Sequence, residues 1–173
     1  MEERLKGCIR DVPDWPKEGI IFKDITTLLK DPEAFKLAVD ALADRYRDRG
    51  VNYVASVEAR GFILGGPVAY LLGAGFIPIR KPGKLPYETR REEYELEYGT
   101  DAVEVHVDAF KAGDRVIVCD DLLATGGTAL ATARLVEACG AEVEAFVFLV
   151  ELDFLAARDK LRKYEVFSII HYA

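Results

Sequence analysis

The chain is poor in the residues that hold metals or staple a fold. It has three cysteines and two histidines among 173 residues. Cys8, Cys119 and Cys139 are odd in number, and their spacing suits neither a disulfide framework nor a zinc site. They read as buried thiols of a reducing cytosol. His106 and His171 have no metal-ligand spacing. No apolar run approaches the roughly 20 residues that span a bilayer. The start, MEERLKGCIRD, has no apolar signal core, so a cytoplasmic protein is expected. Positive charge is also short: the formal net charge is −7. That argues against nonspecific binding to nucleic acid or an anionic membrane. The patterns GxSxG, GxxxxGK[ST] and GxGxxG are absent, which sets aside a serine nucleophile elbow, a P-loop and a dinucleotide fingerprint.

What is present is a globular composition, half hydrophobic, of a length that suits one domain spanning 1–173. Residues 1–30 read as a small irregular N-terminal cap with a Pro/Trp-rich bend. Asp31-Pro32 predicts a helix start, with Phe35, Ala38, Val39, Leu42 and Tyr46 on one face and Gly50 as its end. Short apolar runs at 53–57, 76–80, 103–107, 115–119, 143–150 and 166–171 predict strands. Helices are expected at about 62–72, 127–139 and 153–163. This alternation predicts an α/β fold, a mostly parallel twisted sheet flanked by helices. Residues 81–96, KPGKLPYETRREEYEL, are charged and lack a clean period. They read as a lid or binding loop.

The most informative stretch is VIVCDDLLATGGTA, Val116 to Ala129. An apolar strand runs into Asp120 and Asp121, then into Thr125-Gly126-Gly127-Thr128, then into a helical pattern. Loop N–H groups, threonine hydroxyls and a helix N-terminus can wrap one phosphate. The aspartates would repel that phosphate and must face acceptor-seeking groups: sugar hydroxyls or a divalent cation. Each piece alone could be a solvated turn or an ordinary helix cap. Together they outline a site for a ribose 5-phosphate.

In a parallel sheet, ligands lie beyond the carboxyl ends of the strands. Loops at such ends carry Arg60, then Arg80, Lys81 and Lys84, with Arg90 and Arg91 further on. A phosphate cradle plus a separate basic cluster suits a monophosphate at one end and a pyrophosphate at the other. 5-Phosphoribosyl 1-pyrophosphate (PRPP) is such a molecule, and it travels with Mg²⁺.

The segments GIIFKDITTLLKDP, VEARGFILGGPVA, IRKPGKLPYET, LEYGTDAVEVHVDA and DDLLATGGTA resemble, in order and spacing, the adenine branch of the type I phosphoribosyltransferases. The resemblance covers nearly the whole chain. It implies transfer of the 5-phosphoribosyl group from PRPP to adenine, with Mg²⁺ as cofactor, by a homodimer whose N-terminal cap binds the base. It implies that Ala124, Thr125, Gly126, Gly127 and Thr128 cradle the 5-phosphate, with Asp120 and Asp121 near the ribose hydroxyls. It implies that Arg60 and Lys84 bear on the pyrophosphate, Lys84 from the same chain or from across the dimer. It implies that adenine stacks on Phe22, is backed by Leu152 and is read by backbone around Ile21 and Lys23. Glu97, with Tyr98, would come to the base on the mobile loop. On residue type alone Phe22 and Leu152 would pass as core and Glu97 as a surface acid. Two alternatives stay open at this point: a PRPP-responsive regulator without catalysis, and the same chemistry on hypoxanthine, guanine or xanthine.

Overall fold

Asp31 begins the first long helix. Its carboxylate accepts the backbone N–H groups of Glu33 and Ala34, both at 3.0 Å, with Pro32 just inside. The computed structural model describes residues 1–96 and 99–173. Ahead of Asp31 lie helix α1 (Glu2–Lys6), strands β1 (Arg10–Pro13) and β2 (Ile21–Asp24), and one turn of helix, α2 (Thr26–Leu29). The N-terminal segment is therefore more regular than the sequence suggests. β1 and β2 pair antiparallel, with Val12 opposite Phe22, across the Pro/Trp bend.

Helix α3 (Pro32–Asp44) buries Ala34, Ala38, Val39 and Leu42. It closes at Asp44 rather than near Gly50. The chain then tightens into three-residue turns, Tyr46 N–H to Ala43 and Arg49 N–H to Tyr46, which keep Tyr46 buried after the helix has ended. Next come β3 (Tyr53–Val57), α4 (Arg60–Leu72) and β4 (Gly75–Ile79). Beyond these, β5 (Thr89–Glu95) and β6 (Thr100–His106) pair antiparallel from Thr89–His106 to Glu95–Thr100. Much of the expected loop at 81–96 is thus a strand. Its charges on both faces hide a two-residue period, while Glu92 and Tyr94 turn inward.

The chain continues through β7 (Arg115–Leu123), α5 (Gly127–Ala138), β8 (Glu142–Leu152) and β9 (Val166–Tyr172). The segment expected as a helix at 153–163 is instead two 3₁₀ turns, Asp153–Leu155 and Ala157–Asp159. Ala156 between them has φ +50°, which no continuous helix accepts.

The main sheet has the order β4-β3-β7-β8-β9 and is parallel throughout. Side chains alternate across it. Ile117 and Cys119 of β7 join the core under α3 and α4, while Val116 and Val118 pack on the α5 side with Leu135 and Phe146. Full burial of a side chain such as Phe146 contributes about 1.5–3 kcal/mol. The chain leaves β3 for β4 on one side and returns as β7 on the other. That reversal opens a crevice between the carboxyl ends of β3 and β7. No helix among the described residues is long and apolar enough to cross a membrane.

Candidate active site

The acid pair lies inside a strand, not in a loop. β7 runs on to Leu123 because β8 stays beside it, pairing Leu122 with Val150 and Leu123 with Glu151. Residues 124–126 then make the turn, and α5 starts at Gly127. Gly126, at φ +79°, leaves the helix start without a side-chain cap. The first N–H groups of a helix have no partner within it, so here they are free to meet an anion. The cavity at this point is lined by Asp120, Thr125, Gly126, Gly127 and Thr128, with Ala124 beside them. The turn is braced from behind: Lys160 Nζ donates to the Thr125 carbonyl at 2.8 Å. A Cβ on Gly126 would come within 3.2 Å of Ala157 Cβ.

Across the crevice, Arg60 opens α4 and its Nε donates to Asp121 Oδ2 at 2.5 Å. Gly61 lets the helix approach β7, since a Cβ there would lie 2.7 Å from Asp120 Oδ1. Asp120 accepts the N–H of Asp121 at 2.9 Å. Burial, and then the neighbouring Asp121 carboxylate, raise the Asp120 pKa well above the ordinary carboxylate value. Glu58, at the end of β3, accepts the N–H of Lys81 at 2.6 Å and Arg80 Nε at 3.2 Å. The Lys81 bond is the main reason its pKa is lowered, against some burial. A central cavity is lined by Glu58, Arg60, Lys81, Asp120, Asp121 and Thr128.

Lys81 was named in the sequence only as one of several loop cations. In the structure it lines this cavity while its Nζ bonds to Tyr94 Oη at 2.8 Å and pairs with Asp101. Lys84 is exposed and lines neither the cavity at the glycine turn nor the central one. Its link to the site is electrostatic, through Glu58.

The third cavity is apolar. Ile21, Phe22, Lys23 and Leu152 share its wall with Ile25, Leu122 and Val150, and Arg60 and Asp121 close one side. Phe22 and Leu152 are half-buried wall residues rather than core. Trp15 meets the Phe22 ring edge-on at 4.4 Å, and the Arg60 guanidinium lies 5.8 Å from that ring's centre. The Lys23 amine is bonded to Asp11 at 2.7 Å and sits 4.2 Å from the Tyr172 ring centre. Sequence reading missed Trp15, Ile25, Val150 and Leu122, because their residue types signal only packing. It also gave Glu58 no role, although an acid at the end of a buried strand was a usable signal.

Glu97 and Tyr98 lie outside the described residues. Glu151, Asp153 and His171 offer ligand atoms within 4.8 Å of one another. Both Glu151 oxygens are taken by Arg158, at 2.7 and 2.8 Å, and Ser168 adds a bond at 2.6 Å. That group is an ion-pair network behind the apolar cavity.

Residues 24–172 match the phosphoribosyl transferase domain. The chain is 56% identical over 170 residues to an adenine phosphoribosyltransferase of Syntrophotalea carbinolica, covering 98% of this chain and 99% of that one. The crystal structure of adenine phosphoribosyltransferase from Thermoanaerobacter pseudethanolicus superposes with a TM-score of 0.96 at 53% identity, covering 99% of this chain and 100% of that one. The Saccharomyces cerevisiae enzyme, complexed with D-2,5-dideoxy-2,5-imino-altritol 1,6-bisphosphate and adenine, gives 0.92 at 40% identity, with 97% of each chain covered. With this agreement in sequence, fold and length, the chain belongs to the adenine phosphoribosyltransferases of the phosphoribosyl transferase family.

Proposed function

We propose that the protein divides the two substrates of adenine phosphoribosyl transfer between the glycine turn and the apolar cavity. The reaction moves the 5-phosphoribosyl group of PRPP to adenine and releases AMP and pyrophosphate. One observation carries the division: Arg60, Asp121 and Leu122 line both the apolar cavity and the central one, and Asp120, Leu122 and Thr128 line both the central cavity and the phosphate turn. A ligand can therefore run without a break from a flat apolar base, past two carboxylates, to a helix N-terminus. The yeast relative's complex, which pairs adenine with a bisphosphate iminoalditol, supports the same division.

In this reading Ala124, Thr125, Gly126, Gly127 and Thr128 hold the 5-phosphate through loop N–H groups and hydroxyls. Asp120 and Asp121 accept from the ribose hydroxyls, which orients the anomeric carbon. Arg60 exchanges Asp121 for the pyrophosphate and helps to neutralise its departing charge. Lys84 joins it only if the loop moves or a partner copy supplies it; Lys81 already faces the central cavity. Adenine lies against Phe22 with Leu152 behind it, between Ile21 and Lys23. The N-terminal segment 1–30 is its cap, and 1–173 is one catalytic domain. Glu97, with Tyr98, handles the purine proton. Closure of the segment at about 81–100 excludes the water that would hydrolyse PRPP.

The donors at the crevice suit Mg²⁺. Asp120 and Asp121 offer hard oxygens, but too few for a protein cage, as expected for an ion held mainly by substrate phosphates. Bound there, Mg²⁺ would supply charge neutralisation to the pyrophosphate. The proposal includes a homodimer working in the cytoplasm on small molecules alone, without nucleic acid or membrane.

The test is a purine competition. Purified protein, Mg²⁺ and PRPP receive equimolar adenine, hypoxanthine and guanine, and the nucleotides are separated. AMP alone is the expected product. IMP or GMP would overturn the base assignment, and PRPP binding without turnover would favour a regulator.

A further inference from the structure

Strand β9 ends beside the apolar cavity, and its last pairings are Glu151 with His171 and Leu152 with Tyr172. Leu152 faces the cavity, while the carboxylates on either side of it are tied to one imidazole. His171 Nδ1 lies 2.9 Å from Asp153 Oδ1 and 4.0 Å from Glu151 Oε2. The His171 backbone is held as well: its N–H donates to Glu2 at 2.9 Å, and its carbonyl accepts from Lys6 Nζ at 2.8 Å. On the facing wall, Lys23 is seated on the ring of Tyr172.

We propose that His171 is a positioning residue for base recognition: through Asp153 it fixes the seat of Leu152, while Tyr172 fixes Lys23 opposite. The inference rests on reading the apolar cavity as the adenine site. Leu152 sits where β8 gives way to a 3₁₀ turn. Arg158 holds both oxygens of Glu151, and the imidazole's close bond is to Asp153. Protonated, His171 ties that carboxylate to the end of β9; without its charge the tie weakens, and the turn at Asp153 is free to shift, taking Leu152 with it.

The charged groups around His171 are Glu2 and Lys6 on α1, Glu151 and Asp153 on either side of Leu152, and Arg158 beyond Glu151. Partial burial opposes the imidazolium. The bond to Asp153 and the charges of Asp153, Glu151 and Glu2 outweigh it and raise the pKa above that of an ordinary histidine. The seat is therefore intact at low pH and loosens as pH rises through that raised value.

The experiment measures KM for adenine and KM for PRPP separately, from about pH 6 to about pH 9, in the native protein, His171→Gln and Leu152→Ala. In the native protein the adenine KM should rise toward alkaline pH while the PRPP KM stays level. His171→Gln should hold the adenine KM about five- to tenfold high at every pH, erase the step and leave the PRPP KM within about twofold. A His171→Gln protein with native adenine KM and native pH profile would overturn the proposal. Equal rises in both KM values would overturn it too, since they mark a general structural loss. Leu152→Ala separates the two layers. If it raises the adenine KM while His171→Gln does not, the base site stands and only the role of His171 falls. If it leaves the adenine KM unchanged, both fall. Asp153→Asn, at a side chain 44% exposed, tests the same link should the glutamine variant fold poorly.

Discussion

Arg60 and Asp121 face each other across the crevice with Nε and Oδ2 2.5 Å apart. The arginine side chain is 47% exposed and the aspartate 9%. With one partner so open to solvent, the pair adds about 1 kcal/mol or less to stability. Its importance is its place, on the wall shared by the apolar cavity and the central cavity. A guanidinium held by one carboxylate oxygen is ready to turn toward a pyrophosphate that offers more.

Arg60→Gln should therefore lower kcat/KM for PRPP by about 10²-fold while the melting temperature changes little. Asp121→Asn should lower it as well and leave circular dichroism unchanged. Native PRPP kinetics in both variants would remove the pair from the site.

Phe22→Ala removes one face of the apolar cavity proposed for the base. An aromatic platform under a base contributes about 1–3 kcal/mol, so the adenine KM should rise about tenfold. The PRPP KM should hardly move, because Phe22 does not line the phosphate turn. Steady-state kinetics with each substrate varied in turn would check this.

Gly126→Ala should cost about 1–2 kcal/mol for the left-handed backbone at φ +79°. The new methyl would also press on Ala157, 3.2 Å away, and displace the turn, so the PRPP KM should rise. Gly113→Ala is the control. Its φ is +83° but no atom lies within 4 Å, so it should lose stability without touching the PRPP KM.

Asp120→Asn should trade activity for stability. Asp120 is a carboxyl whose folded-state pKa is raised, by burial first and then by Asp121. As pH climbs past the ordinary carboxylate value, the unfolded chain releases this proton before the folded one, and the native fold loses stability until its own raised pKa is passed. The asparagine variant escapes that loss. It should melt a few degrees higher at about pH 7, roughly 2–4 °C per kcal/mol, and no higher at about pH 4. Its turnover should nevertheless fall, and a lower melting temperature at neutral pH would contradict the argument.

Glu97→Gln should reduce kcat by about 10²-fold or more and change PRPP binding little, as expected when a general acid or base is lost. Pre-steady-state turnover with a separate binding titration distinguishes the two effects. A near-native kcat would end the assignment.

Particular residues show what could be read from the chain alone. Asp31-Pro32, the run Tyr53–Val57 and Gly73 gave element ends that the structure repeats closely, because caps and buried strands are set by neighbours in sequence. The strand–turn–helix around the glycines was legible for the same reason: strand, acids, glycines and helix start are contiguous. β5 was hidden because its charged residues mask the alternation that only β6 and α5 reveal. The end of α3 and the 3₁₀ turns near Ala156 were missed because turn geometry, not composition, decided them.

The sequence by itself determined the parallel α/β architecture, the glycine turn between strand and helix, and the family, since each is written in local pattern or in ordered motifs. The tertiary structure decided which distant residues share a wall. It joined Phe22 to Leu152, Arg60 to Asp121, Lys81 to Asp101 and Leu152 to the His171 network. These pairs are separated by 19 to 130 positions along the chain. Nothing local fixes their distance; packing of the strands and helices does.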